Sequence, residues 1–219
     1  MFRSKLFVPA AALLGAMTLS GCNLVMSPTP VFGAADMAGA PVMKPGLWAS
    51  PDKDCKDFDE TKPASQWPGC ASGSVMKDGK AWSVGHADKA SPYVIAAGDP
   101  AVMQAKADLS DMSGQGVSVA TKGPIYLFIA MKPLDHDGAG RVIRAEGWFV
   151  QCGPPPPKPA DKDANDPKAY GTKHPLPGMI MDNGACSPKD KSAVRGAAGP
   201  SRAWADPVMQ MHWVRDAEN

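Results

Sequence analysis

The chain has 219 residues, with 23 Lys and Arg against 22 Asp and Glu, and a formal net charge of +1. A charge so close to zero gives no electrostatic case for binding nucleic acid, which removes that class of partner. The length suits one domain of ordinary size. The 22 glycines and 23 prolines make up about a fifth of the chain, which favours many turns over long helices.

The first residues of the chain have the organisation of an export signal. Arg3 and Lys5 precede an uncharged run from Leu6 to Leu19, like the basic and hydrophobic regions of secretory signal peptides. The run is too short to span a membrane. It ends in Leu19-Ser20-Gly21-Cys22, which resembles the lipobox of bacterial lipoproteins at all four positions.

That resemblance implies a mature protein attached to a membrane by lipid. The chain would be cut between Gly21 and Cys22, giving a signal peptide over residues 1–21, and Cys22 would carry acyl chains such as palmitate on its sulfur and its new amino terminus. Two or more chains anchor a protein firmly, because each buried methylene contributes about 0.8 kcal/mol. Asn23, in place of Asp, further implies the periplasmic side of the outer membrane. The alternative is a plain signal peptide cut near residue 15 or 16, with Cys22 an ordinary thiol.

Four cysteines remain after Cys22, namely Cys55, Cys70, Cys152 and Cys186. An even number in an exported chain predicts two disulfides. Three connectivities are open, and we prefer the two local pairs, Cys55–Cys70 and Cys152–Cys186. Each closed loop would contribute about 3 to 4 kcal/mol in the chain-entropy account. A redox pair or metal site is disfavoured because the chain has no C-x-x-C motif.

Residues 22–45 are rich in Pro, Ala, Gly, Met and Ser, which predicts a flexible lipidated tether. A single β domain is expected over residues 46–219, beginning with a strand near Trp48. The clearest hairpin runs from Ser74 to Val84, because Asp78-Gly79 suits a type I′ turn. Its register places Lys77 opposite Lys80 and Val75 opposite Trp82, and the face with Val75 and Trp82 is expected to point toward the core.

Further strands are predicted along the rest of the chain, at residues 93–97, 101–107, 116–120, 125–131, 141–152 and 208–215. The second of these could instead be a helix that begins after Asp99. The run from Ile125 to Met131 is apolar on both faces and is therefore expected to be central. Gly147 is a candidate bulge position.

A proline-rich insertion is expected over residues 153–178, clamped at its base by Cys152 and Cys186. Its low apolar content cannot offset the entropy lost on ordering. Ser187-Pro188 then resembles an N-cap with proline in the first turn, which predicts one short helix over residues 189–198.

The sequence contains no recognisable catalytic or metal-binding spacing. The four histidines are far apart, and the D-x-D-G-like stretch at residues 135–140 lacks the third acid and the closing Glu of a calcium loop. Ser74-Val75-Met76-Lys77 matches the S-x-x-K of penicillin-binding enzymes, but it falls in a predicted hairpin and no partner motif follows. We therefore expect no enzyme activity, no cofactor and no metal. The six tryptophans are expected in the core, although they could line a ligand cavity.

The mature chain resembles the small envelope lipoproteins of Gram-negative bacteria through its lipobox. Gly46-Leu47-Trp48, Cys55, Cys70 and the Asp78-Gly79 hairpin also resemble, more loosely, the β-barrel protease-inhibitor lipoproteins. These features together predict a mainly β fold, a single antiparallel β-barrel or sandwich with one short helix, two disulfides and long loops. The expected function is a lipid-anchored binding or assembly module with an envelope protein partner. The alternative is a small barrel that carries an apolar ligand or inhibits a protease.

Overall fold

The computed structural model describes residues 23–84, 89–108, 124–157, 171–182, 185–206 and 208–217. This part of the chain is mainly β, and its one α-helix, α1, spans Lys191–Ser201. The strands are β1 (Met26–Ser27), β2 (Gly46–Pro51), β3 (Ala71–Lys77), β4 (Lys80–Ser83), β5 (Ala90–Ala96), β6 (Ala101–Asp108), β7 (Pro124–His136), β8 (Val142–Phe149), β9 (Met179–Asp182), β10 (Ala185–Pro188) and β11 (Met209–Arg215).

Eight of these strands close into an antiparallel β-barrel. Strands β2 to β8 follow one another around the barrel in chain order, and β11 pairs with both β8 and β2. The pairing of β7 with β8 completes the ring. The predicted fold class is confirmed, and the barrel is the form it takes. Closure leaves the eight strands without an open sheet edge.

One hydrophobic cluster fills the lumen of the barrel, and all eight strands contribute to it. One member from each strand, in chain order, is Trp48, Met76, Ala81, Ile95, Met103, Met131, Ala145 and Trp213. Because side chains alternate between the two faces of a strand, Phe128 and Ala130 of β7 point outward and pack in a separate cluster. An eight-stranded barrel is just wide enough for side chains to fill it. The lumen is therefore a core.

An outer layer made of α1 and the β9–β10 hairpin covers β7 and β8. The helix contributes small side chains, including Ala193, Ala197 and Ala198, all at most 4% exposed. These let the helix approach closely, and the indole Nε1 of Trp148 donates to the Ala198 carbonyl at 2.7 Å. The outward-facing side chains of this seam are thus as buried as the lumen.

Residues 23–45, which we call the strap, are packed against the barrel, so the expectation of a flexible tether is wrong for this range. Leu24, Val25, Met26, Phe32 and Met43 are all at most 6% exposed. Strand β1 pairs with β7, and further along the Lys44 amide donates to the Val142 carbonyl at 3.0 Å. The physical reason is that the barrel offers apolar surface to these side chains. Val25 and Phe32 join the cluster on its outer face, whereas Met26 packs with Ile125 and Leu127, and Met43 joins the lumen cluster. The packed part of the described chain therefore includes residues 23–45 as well as the range predicted from residue 46.

The β3–β4 hairpin has the predicted register, with Lys77 opposite Lys80 and Val75 opposite Trp82. Its faces are the reverse of the expectation, because Met76 and Ala81 point into the lumen. The outward face is covered instead by the loop after β2. An added Cβ at Gly73 would lie 2.8 Å from Val84 and 2.9 Å from Trp67, which shows how closely that loop approaches.

The strands expected at residues 93–97, 101–107, 125–131, 141–152 and 208–215 are present, with bounds shifted by a few residues. The segment 116–120 lies outside the described residues. Gly147 is in regular register opposite Met131 and Met209, and the irregular pairing lies between Pro133 and His136 instead.

The helix begins later than expected. Asp190 is its N-cap, and its carboxylate accepts from the amides of Ser192 at 2.9 Å and Ala193 at 3.1 Å. Ser187 and Pro188 belong to β10, where they pair with β9. The helix therefore begins after Asp190, whose carboxylate accepts from two amides of the first turn, and not at Ser187-Pro188.

Candidate functional site

The start of the strap is fixed to the fold by hydrogen bonds at Asn23. Its side-chain amide donates to Gln151 Oε1 and to the Gly153 carbonyl, both at 2.9 Å. Its own carbonyl accepts from the Cys152 amide at 2.8 Å. Asn23 is only 1% exposed, so the residue that directly follows Cys22 cannot move independently of the domain. Cys22 itself lies outside the described residues.

One polar atom at this position is unsatisfied. The Asn23 Oδ1 atom is buried and accepts no hydrogen bond within the described structure. A buried acceptor without a partner costs about 1 to 3 kcal/mol. A hydrogen-bond donor placed next to Asn23 Oδ1 would therefore be stabilising. The side chain keeps this orientation because its amide nitrogen donates to Gln151 and Gly153.

The Cys152–Cys186 disulfide lies next to Asn23, since the Cys152 amide donates to the Asn23 carbonyl. Its Cα atoms are 5.9 Å apart, and both cysteines are at most 1% exposed. Val25 forms a parallel bridge with Cys186, and the Ser201 hydroxyl accepts from the Gln151 amide at 2.8 Å. The strap, the end of β8, the β9–β10 hairpin and α1 therefore meet here, and the preferred pairing of these two cysteines is confirmed.

The Cys55–Cys70 disulfide is also confirmed, with a Cα separation of 5.4 Å, and it belongs to a different part of the surface. It closes the loop after β2, in which Phe58 and Trp67 stack edge to face with centroids 5.1 Å apart. Arg215 of β11 holds this loop by donating to the Glu60 carbonyl at 2.6 Å. Both disulfides therefore stabilise coverings of the barrel's outer surface.

An open depression of about 390 Å³ lies near the start of β8. Its lining consists of Lys44, Asp137, Ile143, Arg144, Gln210, Met211, His212 and Trp213. The Lys44 ammonium lies 3.3 Å from the centroid of the Trp213 ring, which occupies that cation in a cation–π contact. The depression is open to solvent, and the Lys44 ammonium in its lining is already engaged by the Trp213 ring.

The acidic loop at residues 135–140 is closed by an ion pair. Arg141 Nη2 lies 2.6 Å from Asp137 Oδ2, and its hydrogen bonds lower the pKa of Asp137 to about 2. The same carboxylate accepts from the backbone amides of Ala139 and Arg141. Its oxygens thus stabilise the hairpin connection, which accounts for the motif without a calcium ion.

The other residues that could suggest a catalytic or metal-binding site do not form one within the described structure. Ser74 and Lys77 lie three residues apart on β3, so they point to opposite faces of the strand. Among the described residues, no three His, Cys, Asp or Glu side chains are grouped as metal ligands would be. None of the helices in the described ranges is long and apolar enough to cross a membrane.

Comparison of the chain with protein-family models, curated proteins and solved structures finds no match. The structure defines a closed eight-stranded antiparallel barrel in which the buried Asn23 directly follows the cysteine of a lipobox-like sequence.

Sequence reasoning missed the roles of Asn23 and Gln151 in fixing the start of the strap. The only sequence signal was the apolar triplet Leu24-Val25-Met26 directly after Cys22. Three consecutive apolar residues are unusual in a solvated linker, and their burial here shows that they were the informative part of the stretch.

Proposed function

We propose that this protein is a lipid-anchored, non-catalytic component of a bacterial cell envelope, held in the membrane by acyl chains on Cys22. The single observation that carries the proposal is a lipobox-like sequence directly before a residue that the fold holds in place. The lipobox-like Leu19-Ser20-Gly21-Cys22 directly precedes Asn23, which is buried and hydrogen-bonded to Gln151 and Gly153. Cleavage before Cys22 would keep every described residue in the mature chain.

Two other features support an exported protein. Both cysteine pairs form disulfides, which persist in oxidising compartments such as the periplasm. Asn23 at the position after the lipidated cysteine favours the outer membrane, on its periplasmic side. The barrel would then act as a binding or assembly module for an envelope protein, with its outer surface and loops available for contact.

The alternative of an apolar ligand in the barrel has less support. Trp48 and Trp213, which could have lined a cavity, instead pack with Met76 and Met131 in the lumen cluster. Trp48 is 1% exposed and Met131 is fully buried. A ligand would have to displace these side chains. Inhibition of a protease would use an outer loop and stays an alternative for the partner experiment.

The lipid anchor is tested by expressing the full chain in a Gram-negative host and partitioning its membranes between detergent and aqueous phases. We expect the wild-type protein in the detergent phase and Cys22→Ser in the aqueous phase. Ser20→Ala is the matched control, because it keeps a small residue beside the cleavage position and should partition as the wild type does. Equal partitioning of wild type and Cys22→Ser would contradict the proposal.

The binding role is tested by cross-linking the native protein in intact envelopes, followed by capture and mass spectrometry. We expect one dominant envelope protein that is recovered with the wild type and lost with Cys22→Ser. Turnover of an envelope substrate by the purified domain would contradict a non-catalytic role. Recovery of a protease, together with loss of its activity, would favour the inhibitor alternative.

A further inference from the structure

We propose that one side of the domain, which we call the anchor face, lies directly on the lipid bilayer rather than at a distance from it. The anchor face consists of residues 151–157 and 171–182 together with Trp204. This inference rests on the proposed lipidation of Cys22. It adds a fixed orientation of the barrel, because the structure leaves no spacer between the lipidated residue and the packed domain.

The length of the spacer between Cys22 and the packed domain determines whether the domain lies at a distance from the bilayer or directly on it. A flexible tether over residues 23–45 would have a root-mean-square length of roughly 25 to 30 Å, from about 5 to 6 Å times the square root of the residue number. The structure replaces that tether by a strap that begins at a buried Asn23. Cys22 is only about 3.8 Å from Asn23 along the backbone. The acyl chains must therefore enter the bilayer beside Asn23.

The hydrogen bonds of Asn23 determine which surface is brought to the bilayer. Its amide nitrogen contacts Gln151 and Gly153, and Gln151 Nε2 donates to the Trp204 carbonyl at 3.2 Å. An added Cβ at Gly153 would overlap the His174 carbonyl, so the returning limb at residues 172–174 is also adjacent. These segments surround the point where the lipid would leave the protein.

The chemistry of the anchor face suits the polar boundary of a membrane. Pro155 and Pro157 are exposed, and Ile180 is an exposed large apolar side chain at 50%. Lys173, on the returning limb of the same face, is exposed and can meet lipid phosphates. Prolines lack an amide donor that would need water, and apolar groups gain free energy on leaving water.

The strand order places another surface on the far side. Around the barrel the order is β7, β6, β5, β4, β3, β2, β11 and β8. The seam between β7 and β8, next to the outer layer, is therefore diametrically opposite the β3–β4 hairpin. With the anchor face on the bilayer, the β3–β4 hairpin points away from it and toward soluble partners.

The test measures proximity to lipid at the two sides. Lys173→Cys and Lys80→Cys are both substitutions of exposed lysines, and each is labelled with a fluorophore in the lipidated full protein. The protein is reconstituted in phosphatidylethanolamine and phosphatidylglycerol vesicles that carry a nitroxide on the lipid headgroup. We expect loss of most of the fluorescence at position 173 and little loss at position 80. A Gly-Ser spacer inserted between Cys22 and Asn23 should remove the difference.

The outcomes separate this inference from the proposed function. Mass spectrometry of each sample reports whether Cys22 is acylated. Equal quenching at the two positions on acylated protein would overturn the fixed orientation while leaving the lipid anchor in place. A chain with unmodified Cys22 would overturn the proposed function and this inference together.

Discussion

The strap at residues 23–45 and the proline-rich insertion at 153–178, which we call the arm, look alike in sequence and differ in the structure. Both are rich in proline, and neither shows the alternation of a strand. The strap buries Val25 and Phe32 at 1% and 2% exposure. In the described limbs of the arm, residues 153–157 and 171–178, most side chains are exposed or half-buried. A few large apolar groups with a place to pack decide how deeply such a stretch is buried.

The difference has a thermodynamic basis. Fixing a residue costs about 1 to 2 kcal/mol of backbone entropy, and burying a large apolar side chain returns about 1.5 to 3 kcal/mol. The strap adds hydrogen bonds, because Gln104 Oε1 accepts from the amides of Val31 at 2.6 Å and Phe32 at 2.9 Å. Val25 and Phe32 of the strap are therefore part of the hydrophobic core, and Asn23, which directly follows Cys22, is held in the fold.

The largest effect is expected from removing the Cys152–Cys186 disulfide, which closes the base of the arm and lies beside Val25 of the strap. Cys152→Ala with Cys186→Ala should lower the free energy of unfolding by about 4 kcal/mol, since the bridge closes a long loop. The matched control, Cys55→Ala with Cys70→Ala, opens a shorter loop, with a separation of 15 residues against 34.

Urea denaturation measures both pairs of substitutions, and hydrogen exchange at the Val25 amide reports on the strap. That amide donates to the Val150 carbonyl at 3.0 Å, so its protection should fall only in the Cys152 and Cys186 variant. Equal loss of protection in both variants would mean that the strap has no special dependence on the buried bridge.

Truncation of the central aromatic of the strap should be nearly as costly. Phe32 packs edge to face on Phe128 with centroids 6.2 Å apart, and Phe32→Ala should lower the free energy of unfolding by about 3 kcal/mol. Pro155→Ala, at an exposed position of the arm, should change it by less than about 0.5 kcal/mol. Similar values for the two variants in chemical denaturation would show that the strap is no more packed than the arm.

Loss of the side chain that holds the strap backbone should have an intermediate effect. Gln104 is 3% exposed, and its Nε2 also donates to the Phe32 carbonyl at 3.1 Å. Gln104→Leu keeps the apolar stem but leaves backbone groups of the strap unpaired, which should cost about 2 kcal/mol. Gln210→Leu, at an exposed position, is the control. An unchanged urea midpoint for Gln104→Leu would contradict this role.

The smallest effect concerns pH and the contact between the strap and α1. Asp36 lies 2.9 Å from Lys191, and the hydrogen bonds from Lys191 and from the Gly33 amide lower the pKa of its carboxyl. A lowered folded-state pKa stabilises the fold above the unfolded value of about 3.9 and stops doing so as the pH falls through the folded value.

The wild type should therefore be more stable than Asp36→Asn at neutral pH, and the difference should disappear in acid below the folded pKa of Asp36. Urea midpoints of the two proteins, measured from neutral to acidic pH, check this. A difference that persists or grows in acid would show that the carboxylate is not the stabilising form.

Local patterns predicted the strands and the two disulfides, because these depend on neighbouring residues. The Asp78-Gly79 turn fixed the register of β3 and β4, and the apolar run at Ile125 identified β7. The faces of the hairpin could not be predicted, since a barrel with a covered outer surface buries side chains on both sides. Trp82 therefore reads as a core residue, although it lies on the outward face of the hairpin and is only half-buried.

Long-range packing is the part that the sequence did not reveal. Val25, Phe32 and Met43 are spaced without helix or strand periodicity, so nothing local marks them as buried. Their partners, such as Phe128 and Val142, lie about a hundred residues further along the chain. The lipobox-like sequence did suggest the anchor at Cys22, but the absence of a spacer became visible only once Asn23 was placed against Gln151 and Gly153.

The most direct test of the account is tandem mass spectrometry of the amino-terminal peptide of the mature protein, purified from the membranes of a Gram-negative host. The account predicts a peptide that begins at Cys22, with a diacylglyceryl group on the sulfur and an acyl chain on the amino terminus, followed by Asn23. An amino terminus upstream of Cys22, with its thiol unmodified, would contradict it.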